Sequence, residues 1–204
     1  MISAIGVCLV LLGTALGAVP MQADTSVRAY SSSSSSKDNF TITKYAADME
    51  LGRDSEKCST LKTKLTITAN FPPEQNHGLA PEFVTQYKGH HTSFALGSVQ
   101  DENGKDYEYS WSGNTLRIGN KDTYVSGSKT YVITYTQRDV TWNYGDTQKN
   151  EFYWDVIGTS WRVPISNASA SLKLSPELAA ISRTTPQCYT CLLYTSDAAD
   201  ERSS

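Results

Sequence analysis

Apolar and polar residues alternate with period two along most of the middle of this chain, and each such run predicts a strand covered on one face. The clearest is Leu61 to Ala69, LKTKLTITA. Leu61, Thr63, Leu65, Ile67 and Ala69 share one face, and Lys62, Lys64, Thr66 and Thr68 share the other. That is the signature of a half-buried antiparallel strand with a solvated lysine face. Phe71-Pro72-Pro73 is expected to stop it, because proline cannot donate to the ladder. FTITKY (residues 40–45) precedes it. SFALGSVQ (93–100) and YEYSW (107–111) flank DENGKD, whose Asn103-Gly104 predicts a hairpin joining the two. TLRIG, KTYVITYTQ, EFYWDVI and ASASLKLS follow; in the last, Ala170, Leu172 and Leu174 face inward and Ser171 and Lys173 outward.

No stretch within residues 39–175 carries a helical period. About eight short strands separated by Gly, Asn, Asp or Pro predict an all-β domain. The expected form is an antiparallel β-sandwich with immunoglobulin-like layers, and a β-barrel is the second choice. Residues 176–190 lose the alternation and read as an exit linker or the start of a next module.

The ends differ from the middle. Residues 4–18, AIGVCLVLLGTALGA, are apolar and uncharged, the length of a signal-peptide core and shorter than a bilayer span. Residues 1–23 are therefore expected to be a signal peptide, cleaved after Ala18 or Ala23, with a start codon upstream that would supply the missing basic residue. The alternative, a buried N-terminal helix, has no polar face to offer solvent. Residues 24–38 contain six consecutive serines, Ser31 to Ser36, and read as a flexible linker. Residues 191–204, CLLYTSDAADERSS, match codon by codon from Cys191 to Asp200 the in-frame translation of a transposase-based sequencing adapter. They are expected to be an artefact that truncates the natural protein near Thr190.

With 204 residues, 39% hydrophobic and 19% charged, the chain is long enough for one domain with a real core. Its net charge of −3 falls to −1 without the adapter-like tail, too small to imply a nucleic-acid partner. Of four cysteines, Cys8 belongs to the signal segment and Cys191 to the tail. Cys58 and Cys188 remain as a candidate disulfide in an oxidising compartment, unless Cys188 pairs with a cysteine farther downstream.

Three elements resemble the domain of unknown function 2207 family, the YciQ-like predicted membrane proteins of bacteria. One is the glycine-opened strand Gly127-Ser128-Lys129-Thr130-Tyr131-Val132-Ile133-Thr134-Tyr135. Another is Glu151-Phe152-Tyr153-Trp154-Asp155 followed by Gly158, Trp161 and Pro164-Ile165. The third is Asn76-His77-Gly78 after Phe71-Pro72. After this turn the family usually has an arginine and then Ile-Pro, where this chain has Leu79-Ala80-Pro81. That departure takes functional weight off the turn. The resemblance covers residues 39–190. It implies an extracytoplasmic domain anchored by downstream membrane helices (secreted if no anchor follows), and no established activity.

Candidate chemistry is sparse. His77, His90 and His91, with Glu82 or Asp101, are the potential zinc ligands, but adjacent residues of a strand point to opposite faces and no HExxH or paired CxxC occurs. Asp101 to Asp106 supplies oxygen atoms without a calcium loop's spacing, and a hairpin turn accounts for it. No GxSxG elbow accompanies the serines. Asp139, Asp146, Glu151 and Asp155 are the candidate glycosidase carboxylates, equally readable as rim charges. Trp154 and Trp161 read as core, while Trp142, in a polar stretch, reads as exposed. The chain is thus expected to be non-enzymatic and to need no cofactor, with Trp142, Tyr144, Asn76 and His77 as its binding surface. Its expected partners are other envelope proteins or a cell-wall polymer. The alternatives are a secreted carbohydrate-binding module and, third, an extracytoplasmic hydrolase.

Overall fold

A computed structural model of the chain describes residues 39–182 apart from 88 and 146–148, with side chains except those of 87 and 149, and three further stretches of backbone strand. In chain order the strands are β1 (Ala4–Leu11), β2 (Thr25–Ser26), β3 (Thr41–Arg53), β4 (Ser59–Asn76), β5 (Gln86–Tyr87), β6 (His90–His91) and β7 (Ser93–Gln100). Then come β8 (Tyr109–Ser112), β9 (Thr115–Ile118), β10 (Val125–Arg138), β11 (Thr141–Tyr144), β12 (Lys149–Asp155) and β13 (Asn167–Leu174). A short helix, α1 (Pro176–Ile181), and β14 (Gln187–Leu192) complete the series. The all-β expectation holds, and the sheets do not close into a barrel.

The frame is a six-stranded sheet in the order β2-β13-β3-β4-β10-β7. At its centre β4 pairs antiparallel with β3 on one side and β10 on the other. The predicted alternation sets which face is dry. Leu61, Leu65, Ile67, Ala69 and Phe71 of β4 are buried with Ala47, Met49 and Leu51 of β3 and Tyr131 and Ile133 of β10. Fully burying one such aliphatic side chain contributes about 1.5–3 kcal/mol. On the wet face Lys62 stands opposite Glu50 and Lys64 opposite Asp48. The Ser171 hydroxyl donates to Asp48 Oδ1 at 2.7 Å. The lysine face predicted for β4 is thus matched by acids one strand away.

Over the dry face lie the β8-β9 hairpin, the segment 79–85, and β12. They contribute the buried Leu116, Ile118, Leu79, Phe83, Phe152 and Trp154, joined by Val140 and Val163. β12 belongs to a second sheet, β11-β12-β1-β14.

Four features differ from the expectation. β4 does not end at Phe71-Pro72-Pro73 but runs on to Asn76. The reason lies in its partners: β3 starts opposite Asn70, and the β10 pairing jumps from Phe71 to Asn76. The prolines fall in an excursion where no donor is required. Next, β8 does not continue as a hairpin with β7. The turn forms, with Asp101 N donating to Lys105 O (2.8 Å) and Tyr107 N to Val99 O (2.9 Å), but β8 then pairs with β9. Also, β13 lies parallel to β3, with Leu172 opposite Met49 and Leu174 opposite Leu51. The 156–166 crossover brings the chain back in the same direction, as a parallel pair requires. Finally, α1 occupies part of the stretch read as a linker. Ser175 Oγ accepts from Leu178 N, Pro176 opens the first turn, and Leu178 is buried.

The apolar N-terminal segment runs as β1, antiparallel to β12 and β14. The serine tract and both expected cleavage points lie outside the described residues, as does the tail from residue 193 onward.

Candidate functional site

The four residues chosen from sequence as a binding surface do not come together as one. Asn76 is 5% exposed, and its Nδ2 donates to Asn39 Oδ1 at 3.3 Å. It closes the end of β4 rather than facing solvent. Its neighbour His77 is exposed, stacked on Tyr124 (centroids 4.4 Å apart), with Nδ1 3.1 Å from Thr123 O. Trp142 and Tyr144 lie on β11. Trp142 is half-buried and stacked on His90 (5.8 Å), and the half-buried Tyr144 donates its hydroxyl to Glu151 Oε1 at 3.2 Å. Trp142 is therefore not the free aromatic face that its polar surroundings suggested. A stacking partner distant in sequence covers it.

The other tryptophans sort differently. Trp154 is 5% exposed and stacks parallel to Phe152, as a core residue does. Trp161 is half-buried and meets Tyr45 edge-on. Trp111 is 42% exposed and sits on Phe94 and Phe83, with centroids 5.5 and 6.0 Å away. Tyr109, two residues back, is 49% exposed, and Val84 is 40% exposed. A signal existed in YEYSW. Tyr109 and Trp111 alternate on β8 and share an exposed face that something can cover, while Tyr107, just before the strand, stacks on Tyr131 (4.9 Å).

The carboxylates and histidines are spread among structural tasks. His90 Nε2 lies 2.7 Å from the Asp139 carbonyl oxygen. Asp155 Oδ1 accepts from Ile157 N and Gly158 N, shaping the turn after β12. Glu151 lies four residues back on the same strand, about 13 Å along it, outside the range of a glycosidase pair. Asp146 lies outside the described residues. Asp101 Oδ1 accepts from Asn103 N and Lys105 N within its hairpin turn. Among the described residues, no group of three or more His, Cys, Asp and Glu side chains is placed to hold a metal ion. Cys58 is half-buried and forms no disulfide among the described residues. The side chain of Cys188 lies outside the described residues.

The strongest electrostatic cluster is one the sequence did not announce. Arg138, the last residue of β10, donates through Nε to Asp54 Oδ2 (2.6 Å) and through Nη2 to Glu56. Asp54 Oδ1 accepts from Glu56 N and Cys58 N, folding the β3-β4 turn around the carboxylate. Burial pushes the Asp54 carboxyl up, but the Cys58 and Glu56 amides and the Arg138 guanidinium outweigh it and hold the pKa below its usual value. Arg138 is raised in turn, chiefly by Glu56. Just beyond, Ser59 Oγ accepts from Val140 N, Thr141 N and the Thr141 hydroxyl. These bonds hold Asp139 in the left-handed region at φ 62° as the chain turns from β10 into β11.

Fold and site together define an all-β domain on a twisted six-stranded sheet, with polar clusters that tie strands together and an aromatic patch left half-exposed at one rim. The chain belongs to the family described as Predicted membrane protein (DUF2207) N-terminal domain, which matches residues 41–202. The match runs on past Cys191. No curated protein matches the chain. Solved structures with local likeness include an M1 zinc metallopeptidase from Deinococcus radiodurans, at 12% identity and TM-score 0.36, covering 48% of this chain and 20% of that one. A two-domain M1 zinc metallopeptidase bound to L-arginine shares 13% identity at TM-score 0.41, covering 66% of this chain and 32% of that one. The chain thus spans a third or less of the length of these neighbours.

Proposed function

We propose that the chain is a non-enzymatic, extracytoplasmic interaction domain of a membrane-anchored bacterial envelope protein. The observation that carries this reading is the family match across residues 41–202, which supplies membrane association. The apolar, uncharged segment 4–18 supports export. The polar clusters support a structural or binding role, since Asp54, Arg138 and Ser59 use hydrogen bonds to tie the ends of β3, β4, β10 and β11 together, with the exposed Glu56 added to Arg138. The half-exposed Trp111 and Tyr109 supply contact area of the kind enriched at interfaces.

The test is topology in the native membrane. Ser112→Cys, at the exposed tip of the β8-β9 hairpin, is introduced into the full-length protein lacking its other cysteines. The expected result is a protein that sediments with membranes and is labelled by a membrane-impermeant maleimide in intact cells. Labelling only after lysis, or recovery in the soluble fraction, overturns the reading. The same exposed rings favour a second reading, binding of cell-wall polysaccharide by ring stacking. Saturable polysaccharide binding lost in Trp111→Ala would select it.

A further inference from the structure

A sheet ends either in a covered edge or in an edge that repels other strands, because bare N–H and C=O groups template further pairing. The six-stranded sheet ends at β7. Its sequence, SFALGSVQ, has no charge and no proline, the usual means of blunting an edge. One bulge, at Gly97, interrupts it, where the β10 pairing shifts between Thr134 and Tyr135.

Among the described residues, the far side of β7 is engaged only just before its start and near its end. Thr92 N donates to Thr85 O (3.0 Å), and Val99 O accepts from Tyr107 N (2.9 Å). Backbone groups alternate sides along a strand, so between these two anchors the outward groups are those of Phe94 and Leu96. No backbone partner meets them among the described residues. The hairpin that would have covered them is the one the chain declines to make. After Tyr107, β8 swings away to pair with β9, and all four residues of β8 are exposed. Trp111 of β8 still reaches back to the Phe94 ring, 5.5 Å away. The unpaired stretch of the β7 edge thus has the exposed Trp111 packed on its Phe94. The exposed Tyr109 stands two residues before Trp111, and the exposed Val84 is next to Phe83, which also meets Phe94 and Trp111.

We propose that this edge binds an extended, uncharged polypeptide segment, which adds a strand at Phe94–Gly97 and sets apolar side chains against Trp111 and Val84. Bare backbone groups in strand geometry are matched by another extended backbone, and neutral apolar walls by alternate apolar side chains. This stretch of edge is too short for a globular partner. It offers two residues of ladder and a few rings, where a stable interface between folded proteins takes roughly 20–30 residues a side. Of the N-terminal residues that are described, Ala4–Leu11 pair with β12 and β14, and Thr25–Ser26 lie at the opposite edge of the sheet. The proposal deepens the interaction role given above and rests on it. A negative result here leaves the membrane labelling untouched, so the two fail separately.

The test uses the 15N-labelled full chain and a capped peptide of alternating threonine and valine. Amide exchange at Phe94 and Leu96 is expected to slow at least about tenfold at saturation, the change expected when a solvent-exposed N–H enters a ladder. A peptide of alternating threonine and glutamate should leave both amides unchanged. Leu96→Pro removes an outward donor without touching the β10 ladder and should weaken binding about tenfold or more. Trp111→Ala, which leaves the edge intact, should weaken it as well. No protection at saturating peptide, equal binding of the glutamate peptide, or binding indifferent to both substitutions overturns the proposal. Protection of the same amides that rises with protein concentration, without peptide, overturns it in favour of β7 pairing with a second copy.

Discussion

Gly78 and Gly119 lie against each other so closely that neither can carry a side chain. A Cβ on Gly78 would overlap the Ile118 carbonyl oxygen, and one on Gly119 would overlap that of His77. Both have positive φ, 141° and 122°. The approach lets Leu79 and Ile118 exchange two backbone hydrogen bonds, of 3.0 and 2.8 Å, which dock the 79–85 segment and the β8-β9 hairpin over the core. Gly78→Ala or Gly119→Ala should each destabilise by at least about 3 kcal/mol, combining overlap with backbone strain. Gly145→Ala, where a Cβ meets nothing within 4 Å, should stay within about 0.5 kcal/mol. Urea unfolding followed by circular dichroism checks all three.

Ser59 Oγ serves two amides and a hydroxyl from the turn between β10 and β11. Ser59→Ala leaves those donors without their acceptor and should cost about 1–3 kcal/mol. Asp139, held at positive φ in the same turn, should tolerate glycine and resist valine. The three melting curves rank the variants.

Asp54 makes stability depend on acid. Its pKa is lowered on folding, so its contribution is present above the ordinary value of 3.8 and disappears as pH falls through the lowered folded value. Urea midpoints measured down through the acid range should fall for the natural chain. They should fall less steeply for Asp54→Asn, which is less stable at neutral pH.

Three tyrosines set the alkaline limit. Burial raises Tyr45 well above 10, raises Tyr131, and pushes Tyr135 up to about 12. Because the folded values are raised, their contribution is complete below pH 10 and is lost as pH rises through the folded values. Burial raises Tyr107 as well, so tyrosinate absorbance should show a late group containing these three and Tyr107 that ionises together with loss of the circular dichroism signal. The Tyr131 hydroxyl is buried with no hydrogen-bond partner among the described residues. Tyr131→Phe should thus be neutral or stabilising, by up to about 1 kcal/mol.

The tryptophans should separate cleanly. Trp154→Ala opens the core beside Phe152 and should cost about 3–5 kcal/mol. Trp111→Ala should cost far less and remove the fluorescence most accessible to a neutral quencher, since Trp111 is 42% exposed. Trp142→Ala should leave most of that quenching in place.

The strands were legible because the period-two pattern is local. Leu61 to Ala69 and Ala170 to Leu174 declare their dry faces within a few residues, and the fold uses those faces as written. The family, too, was readable from its aromatic and glycine-opened segments. What only tertiary structure decided depends on partners far apart in the chain. Pro72-Pro73 can stay within β4 because β3 and β10 ask nothing of them there. β13 runs parallel because of where a crossover returns it. Trp142 is covered because His90, 52 positions earlier, reaches it, while Trp111 is left open because β8 abandons β7 for β9. Alternation fixes which side of a strand is dry, but exposure and pairing follow from which strand arrives next to it, and no local pattern encodes that.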